Sequence, residues 1–341
     1  MSVDEVFIQK CIDLAAKGRL SVAPNPMVGC VFVKDNRIVS RGFHQRFGEA
    51  HAEVNAYNNL PSGVHPKDCE VYVNLEPCSH HGKTPPCVDL LCEIKPKRVI
   101  IGAVDPNPLV AGNGIKKLKE AKIEVKTGVL ESACKQLNKF FYKAHSMQLP
   151  FITLKWAETA DGFIARIPSD DRSPKISDSK NDSFVHHLRA EHQSILVGSK
   201  TINRDKPQLN VRFTEGPNPI KVVLSPGLRV NVELDLFKAG KTLIYNNRQS
   251  FRKGAIEFVS LEDCKISTIL KDLFEKGIHS VLVEGGAQTL NAFIAQNLWD
   301  ETIVIRSRSK WFEGVDAPKL ACKPVHVNQS FNDTITFYSN I

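Results

Sequence analysis

The chain has no stretch approaching the roughly 18 consecutive apolar residues that a membrane-spanning helix requires, so no membrane partner is expected. Its opening MSVDEVFIQK carries acids where a secretory signal would carry bases, which points to the cytoplasm rather than export. There is no run of basic residues either. Lys and Arg outnumber Asp and Glu by only 45 to 37, a net charge of +8 spread along the chain. So mild an excess suits anionic small molecules as well as nucleic acid and by itself selects neither. Cysteine is scarce in the second half, where only Cys264 and Cys322 occur. Cys11, Cys30, Cys69, Cys78, Cys87, Cys92 and Cys134 crowd the first 134 residues. The odd total of nine argues against a disulfide framework and for thiols, some of which can bind metal. Repeats and low-complexity tracts are also absent.

What is present is an ordinary globular composition over 341 residues, 42% apolar and 24% charged. At roughly 150 residues per domain this allows two cores. Val6, Phe7, Cys11, Leu14 and Ala15 recur at helical spacing, with Gly18 placed as a C-cap. MVGCVFVK and RIVSRGFH, joined through Asp35-Asn36, read as a β-hairpin. A short helix from His51 to Leu60, the strand EVYVNL, a helix near 87–94, the strand KRVIIGAV and a helix–strand–helix run to about His145 complete an α/β unit. The polar junction AHSMQLP leads to a second pattern, so the boundary falls near 146–150, giving domains of 1–147 and 148–341. In the second, FITLKWA opens a strand and PSDDRSPKISDSKNDS reads as a mobile loop. Strands follow near 194–197, 220–224 and 242–246, then a helix at 265–276, the strand HSVLVEGG and the helix AQTLNAFIAQNL.

His51-Ala52-Glu53 opens one predicted helix, Pro77-Cys78 follows a strand, and Pro86-Cys87 opens the next helix. An imidazole and two thiolates make a three-ligand tetrahedral zinc site with the fourth position left for water. Zinc brings the pKa of that water towards neutrality. Pro is well tolerated at a helix start, and the helix dipole favours a thiolate there. Glu53 lies two residues from His51, so an ideal helix would part their side chains. They converge only at the helix start, where Glu53 could reach the water as a proton shuttle. The alternatives are a core histidine with two buried thiols, or a structural zinc taking Cys69 or Cys92 as a fourth ligand.

The His-x-Glu…Pro-Cys…Cys arrangement resembles the zinc nucleoside and nucleobase deaminases. Eight residues separate Cys78 from Cys87 in NLEPCSHHGKTPPC, a loop longer than the usual two. With APNPMVGCV at 23–31 and AVDPNP at 103–108, it is similar to one branch, the bifunctional riboflavin-biosynthesis deaminase/reductases. The resemblance implies a three-layer α/β/α, cytidine-deaminase-like domain with His51, Cys78 and Cys87 on zinc and Glu53 as proton donor and acceptor. It further implies Asn25, His44, His80 and Lys83 as contacts to the pyrimidine and its ribose phosphate.

VLVEGGAQTL places two glycines between a strand and a helix, a turn that lets backbone N–H groups approach a phosphate, although the full G-x-G-x-x-G is missing. LKWAETADG, HLRAEHQSILVGSKT, the series from Asp205 to Arg212 in VGSKTINRDKPQLNVR, and VEGG resemble the reductase half of the same family, whose fold is similar to dihydrofolate reductase. By that resemblance Ala157, Thr201, Asp205 and the turn Gly286, Ala287, Gln288, Thr289, Leu290, Asn291 and Ala292 contact NADPH. Lys155, Ser173, Arg189, Leu209, Arg212 and Glu284 hold the substrate. One departure stands out: Lys175 occupies the place of an aromatic residue, in a loop about two residues longer than usual. A lysine there could meet a cofactor phosphate.

The expectation is therefore a cytoplasmic bifunctional enzyme. It would deaminate a diaminopyrimidinone ribosylamine 5′-phosphate with zinc and reduce the ribosyl group to ribityl with NADPH. Its partner is a phosphorylated pyrimidine rather than nucleic acid, and the resemblance implies a homodimer or homotetramer. Two rivals are a nucleobase or tRNA deaminase with a non-catalytic C-terminal binding domain and a zinc-stabilised binding protein without turnover. A third possibility is a working deaminase beside a reductase impaired by the altered loop.

Overall fold

A computed structural model describes residues 1–80, 85–107, 111–167 and 175–340, divided into two compact units, Met1–Gln148 and Leu149–Ile341. Among the described residues no helix is long and apolar enough to cross a membrane.

The first unit begins with helix α1 (Val3–Ala15), entered through a reciprocal cap. The Ser2 hydroxyl accepts the Glu5 N–H, and the Glu5 carboxylate accepts the Ser2 N–H. Phe7, Ile8, Cys11 and Ala15 form its buried stripe, whereas Val6 is exposed. Gly18 ends a short 3₁₀ turn at Ala16–Gly18 rather than capping α1 directly. Strands β1 (Gly29–Lys34) and β2 (Arg37–Phe43) form the hairpin, and Asp35 and Asn36 both take the left-handed conformation that a two-residue I′ turn demands. Helix α2 (Ala52–Asn58), β3 (Glu70–Leu75), α3 (Cys87–Ile94), β4 (Arg98–Ala103), α4 (Asn113–Glu120), β5 (Glu124–Thr127), α5 (Glu131–Leu137) and α6 (Lys139–Met147) follow. The sheet order is β2-β1-β3-β4-β5, with β1 antiparallel to both neighbours and β3, β4 and β5 parallel.

Strand periodicity sorts the side chains into two layers. Cys30, Phe32, Val71, Val73, Val99 and Ile101 pack under α2, α3 and α4, against Ala52, Ala56, Leu91 and Leu118. Val31, Val33, Tyr72 and Ile100 face α1 and α5, against Phe7, Ile8, Cys11 and Cys134. The unit is the expected three-layer α/β/α sandwich.

The second unit is built from β6 (Phe151–Glu158), β7 (Phe163–Ala165), α7 (Asp182–Glu191), β8 (Ser194–Gly198), α8 (Ser199–Asp205), β9 (Ile220–Leu224), β10 (Thr242–Asn246), β11 (Phe251–Lys253), β12 (Ile256–Ser260), α9 (Ile266–Glu275), β13 (Ser280–Gly285), α10 (Ala287–Ala295), β14 (Glu301–Arg306), β15 (Val315–Asp316), β16 (His326–Ser330) and β17 (Asp333–Ser339). Ten strands make one sheet in the order β11-β12-β10-β9-β8-β13-β6-β14-β17-β16. β12 through β14 in that order are parallel, and β11, β17 and β16 are antiparallel edges. Helices α9 and α10 cover one face through Ile269, Leu270, Leu273, Leu290 and Phe293. On the other face α7 supplies Val185 and Leu188, and α8 supplies Ile202. Because both faces are covered, the central strands read as continuous apolar runs such as VLV and ILV.

The stretch expected to be a loop at 168–183 is corrected at its end. Ser179–Asn181 is a 3₁₀ turn and α7 starts at Asp182, anchored where Asn181 donates to Asp333 and Asp178 accepts from Lys180. Residues 168–174 of that stretch lie outside the described residues.

Candidate active sites

His51 is not a helical residue but the N-cap of α2, with an extended backbone. That conformation turns its ring back beside the first helical turn and resolves the conflict that helical spacing posed for Glu53. Cys78 sits in the loop after β3, and Cys87 is the first residue of α3 behind Pro86. The His51 Nδ1 lies 3.4 Å from each sulfur, and the Cys87 N–H donates to the Cys78 sulfur at 3.2 Å. A tetrahedral zinc with Zn–S of about 2.3 Å and Zn–N of about 2.0 Å demands nitrogen–sulfur edges of about 3.5 Å. The donor set fits zinc in chemistry and in spacing, and its three ligand atoms lie within 4.8 Å of one another.

The electrostatics agree. The Cys87 thiol and backbone N–H, with the His51 ring, hold Cys78 down to about 4 against the cost of burial. Cys87 moves the other way, raised by Cys78 and by burial. Glu53, 3% exposed, is raised by burial and by the Cys78 thiolate, and its carboxyl is within hydrogen-bonding reach of Cys87.

Around this triad stand groups of known and unforeseen kinds. His44 is buried, its ring packed edge-on to His51 at 5.3 Å. Its Nδ1–H donates to the Ala50 carbonyl and its Nε2 accepts from the Asn25 amide at 3.1 Å. Burial and the His51 ring push it below the ordinary histidine range, so it is neutral. His80 is exposed in the loop between the two cysteines, and Lys83 lies outside the described residues. Asn74 and Asn138, which sequence reasoning did not single out, clamp the loop bearing Asn25. Asn138 accepts the Met27 N–H and donates to its carbonyl; Asn74 accepts the Gly29 N–H and donates to the same carbonyl. Glu76, buried two residues before Cys78, accepts the N–H groups of Asp105, Gly112, Gly114 and Ile115 and so seats the start of α4. Asp105 is pushed up to about 7 by burial and by its neighbours Glu76 and Cys78.

In the second unit a cavity of about 440 Å³ opens beside the carboxyl ends of β6 and β13, the usual ligand position in a parallel sheet. Lys155, Ala157, Lys175, Arg189, Arg212 and Glu284 all line it. Val283 pairs with Leu154, so the next residues, Glu284 and Lys155, are neighbours on the face under α7. Both Glu284 oxygens are held by Arg189, Nε to Oε1 at 2.9 Å and Nη2 to Oε2 at 2.7 Å. Burial alone would raise Glu284, but Lys155 and Arg189 override it and hold the carboxyl at about 2. Lys155 itself is lowered by burial. Lys175, expected on the cofactor, lines this same cavity with Nζ 2.5 Å from Asp182. The Leu209 side chain is buried in the core with Ile202 and Val230, so only its backbone is left for a ligand. Ser173 lies outside the described residues. His186, Phe213 and Asp182 also line the cavity, and no sequence motif pointed to them.

The nicotinamide expectation is tested by the turns after β8 and β13. Gly198 and Gly286 are the N-caps of α8 and α10. A Cβ on Gly198 would stand 2.8 Å from the Thr289 hydroxyl, and one on Gly286 would stand 2.8 Å from that of Thr201. Each turn thus rests its backbone on the other helix's threonine, an approach that any Cβ would force to shift. Lys200 also bonds Gln288 across it at 3.2 Å. Two helix N-termini side by side suit a dinucleotide's phosphates. Of the longer expected stretch, Leu290 is buried in the core and Asn291 is exposed farther along α10. Asp205 is exposed at the end of α8 beside Arg204.

A three-layer unit presenting a His–Cys–Cys triad with an adjacent buried carboxyl has the architecture of the zinc-dependent deaminases, here followed by a parallel α/β unit of reductase type. Comparison with known proteins agrees for both halves. Residues 1–103 match the cytidine and deoxycytidylate deaminase zinc-binding region, and residues 150–307 match the RibD C-terminal domain. The riboflavin biosynthesis protein RibD of Aquifex aeolicus is 34% identical over 331 residues, covering 95% of this chain and 92% of that one. That of Bacillus amyloliquefaciens is 40% identical over 312 residues, 88% and 83% of the two chains. Among solved structures, the Thermotoga maritima diaminohydroxyphosphoribosylaminopyrimidine deaminase/5-amino-6-(5-phosphoribosylamino)uracil reductase is 37% identical with a TM-score of 0.87 over 98% of both chains. Acinetobacter baumannii RibD is 31% identical with a TM-score of 0.90, again over 98% of both. The chain belongs to the RibD family, the bifunctional deaminase/reductases of riboflavin biosynthesis.

Proposed function

We propose that residues 1–147 deaminate a diaminopyrimidinone ribosylamine 5′-phosphate and residues 148–341 then reduce its ribosyl group to ribityl. The observation that carries the first half is the His51–Cys78–Cys87 triad at zinc spacing with Glu53 beside it. Zinc held there supplies the activation of water that hydrolytic deamination requires. Glu53 takes a proton from that water and passes it to the departing amine, so that ammonia leaves. Asn25, fixed by His44, reads the edge of the pyrimidine, and His80 and Lys83 meet the ribose phosphate.

In the reductase unit NADPH supplies the hydride; this chain's task is positioning. Thr201, Asp205 and the turn from Gly286 hold the dinucleotide. Arg189, Arg212 and the backbone of Leu209 hold the substrate with Glu284, and Lys155 orients the sugar and donates the proton its opened ring oxygen takes. All nine cysteines are free, which suits a reducing, cytoplasmic setting.

Glu53→Gln, assayed for ammonia and for NADPH oxidation separately, tests the assignment. Loss of a general acid–base group lowers deamination by about 10²–10⁴-fold. NADPH oxidation on already deaminated substrate should persist. Joint loss of both activities in a folded variant would overturn the two-site reading.

A further inference from the structure

His186 belongs to no motif and to none of the roles above, yet it is 3% exposed and lines the reductase cavity. Its Nδ1 lies 2.8 Å from the backbone N–H of Arg212. An amide N–H only donates, so Nδ1 accepts and carries no proton. Burial and the cations Arg189 and Arg212 push the ring down to about 4, so it is neutral and its single proton sits on Nε2. The neighbour of Nε2, at 3.4 Å, is Nη1 of Arg189, which also only donates. Two donors at that distance do not bond each other. One hydrogen of Arg189 Nη1 goes to the Asn210 carbonyl at 3.2 Å, and among the described residues no acceptor stands against the Nε2–H of His186. Among the described residues the carboxylates lining the cavity are engaged, Glu284 by both arms of Arg189 and Asp182 by Lys175. Phe213 braces the ring edge-on at 4.8 Å, so the donor is held in place. Four cations, Lys155, Lys175, Arg189 and Arg212, line this cavity against the two carboxylates Asp182 and Glu284, which makes the missing acceptor anionic.

We propose that His186 is a further substrate-binding residue of the reductase, its Nε2–H donating to an oxygen of the substrate's phosphate group alongside Arg189. This rests on the reductase reading above. A neutral imidazole donor beside a guanidinium also suits a phosphate monoester in either ionisation state, because neither donor titrates near neutrality.

The test uses the full chain with NADPH, the deaminated substrate and its dephosphorylated counterpart. His186→Phe keeps the ring packed on Phe213 and removes the donor; His186→Gln restores a side-chain N–H. Loss of a hydrogen bond to a charged group should raise KM for the phosphorylated substrate about ten- to hundredfold. KM for NADPH and for the dephosphorylated substrate should stay as in the wild type. His186→Gln should recover part of the loss, and inorganic phosphate should compete with substrate in the wild type far better than in His186→Phe. Unchanged ammonia release and melting temperature establish that each variant is folded. If His186→Phe does not fold, the His186→Gln values and the wild-type phosphate competition decide. The proposal is overturned by an unchanged KM, by an equal rise for both substrates, or by a rise confined to NADPH, which would assign the donor to a cofactor phosphate. Absence of NADPH oxidation in the wild type would instead sink the reductase reading.

Discussion

Glu76→Gln should damage the deaminase unit far more than so conservative a change suggests. Oε1 of Glu76 accepts from Gly114 at 3.0 Å and Ile115 at 3.2 Å, and Oε2 accepts from Gly112 at 3.0 Å and Asp105 at 3.3 Å. A glutamine offers one oxygen and one amino group, so in either orientation two of these N–H groups lose their acceptor and meet a donor. Hydrogen bonds to a charged group contribute about 1.5–3 kcal/mol each, which makes the loss about 3–6 kcal/mol. Gly112 is only half-buried, so its N–H can turn towards water, and the lower figure is the better expectation. At about 2–4 °C per kcal/mol for a unit of this size, the deaminase transition should fall by about 6–12 °C.

The damage should reach the metal as well. A Cβ on Gly114 would lie 2.4 Å from the Pro77 carbonyl, so the start of α4 abuts the residue preceding Cys78. Loosening α4 therefore releases Cys78. Zinc should pass to a chelator faster and ammonia release should fall at least about tenfold, the scale of losing a contact that orients a metal ligand. NADPH oxidation on deaminated substrate should be untouched. Glu120→Gln is the control, since its exposed pairing with Lys116 at 4.0 Å contributes about 0.5 kcal/mol at most. A Glu76→Gln protein melting within about 2 °C of the wild type, with its zinc retained, would refute the reasoning.

Two further outcomes follow from the reductase unit. Glu284 is held near 2, below its unfolded value of about 4.3, so its ionised form stabilises the folded state above that unfolded value. This contribution, of order 3 kcal/mol, drains away as pH falls from about 4 towards 2. Urea midpoints of the reductase transition should drop across that window in the wild type and much less in Glu284→Gln, and parallel slopes would count against the pair. Gly198→Ala places a methyl group 2.8 Å from the Thr289 hydroxyl, which must rotate away or displace the turn. NADPH affinity, read by fluorescence titration, should weaken about three- to tenfold, the cost of roughly 1 kcal/mol of side-chain strain. Gly198→Ala with Thr289→Ala should regain most of it, and no recovery in the double variant would show that the clash is not the cause.

How far the chain could be read depended on whether a residue's partners are near it in sequence. The hairpin was legible because Asp35 and Asn36 tolerate the left-handed backbone that the turn itself imposes. The metal triad was legible because proline and helix-start signals flank each ligand, although the N-cap backbone that lets His51 and Glu53 converge was not. α7 was hidden by its polar opening, SDSKNDS, and Asn181 at its start is anchored to Asp333 at the far end of the chain. The edge strand β16 was illegible for a different reason: HVNQS is mostly exposed, so no buried face imposes alternation, and only pairing with β17 makes it a strand. Glu76 and His186 escaped because their meaning lies in backbone groups 26 to 39 residues away.

Those backbone groups decide chemistry as well as position. His44 and His186 are both buried and neutral, yet they are opposite tautomers at the business end. The Ala50 carbonyl takes the proton of His44 Nδ1, which leaves Nε2 as an acceptor; it captures one Asn25 amide hydrogen and turns the Asn25 oxygen into the group available to a ligand. The Arg212 N–H forces the reverse on His186 and makes Nε2 a donor. An acceptor suits the amino and ring N–H groups of a pyrimidine, and a donor suits a phosphate oxygen. On the proposed roles one residue type would serve two unlike parts of the ligand, because in one unit the backbone presents a C=O to the ring and in the other an N–H.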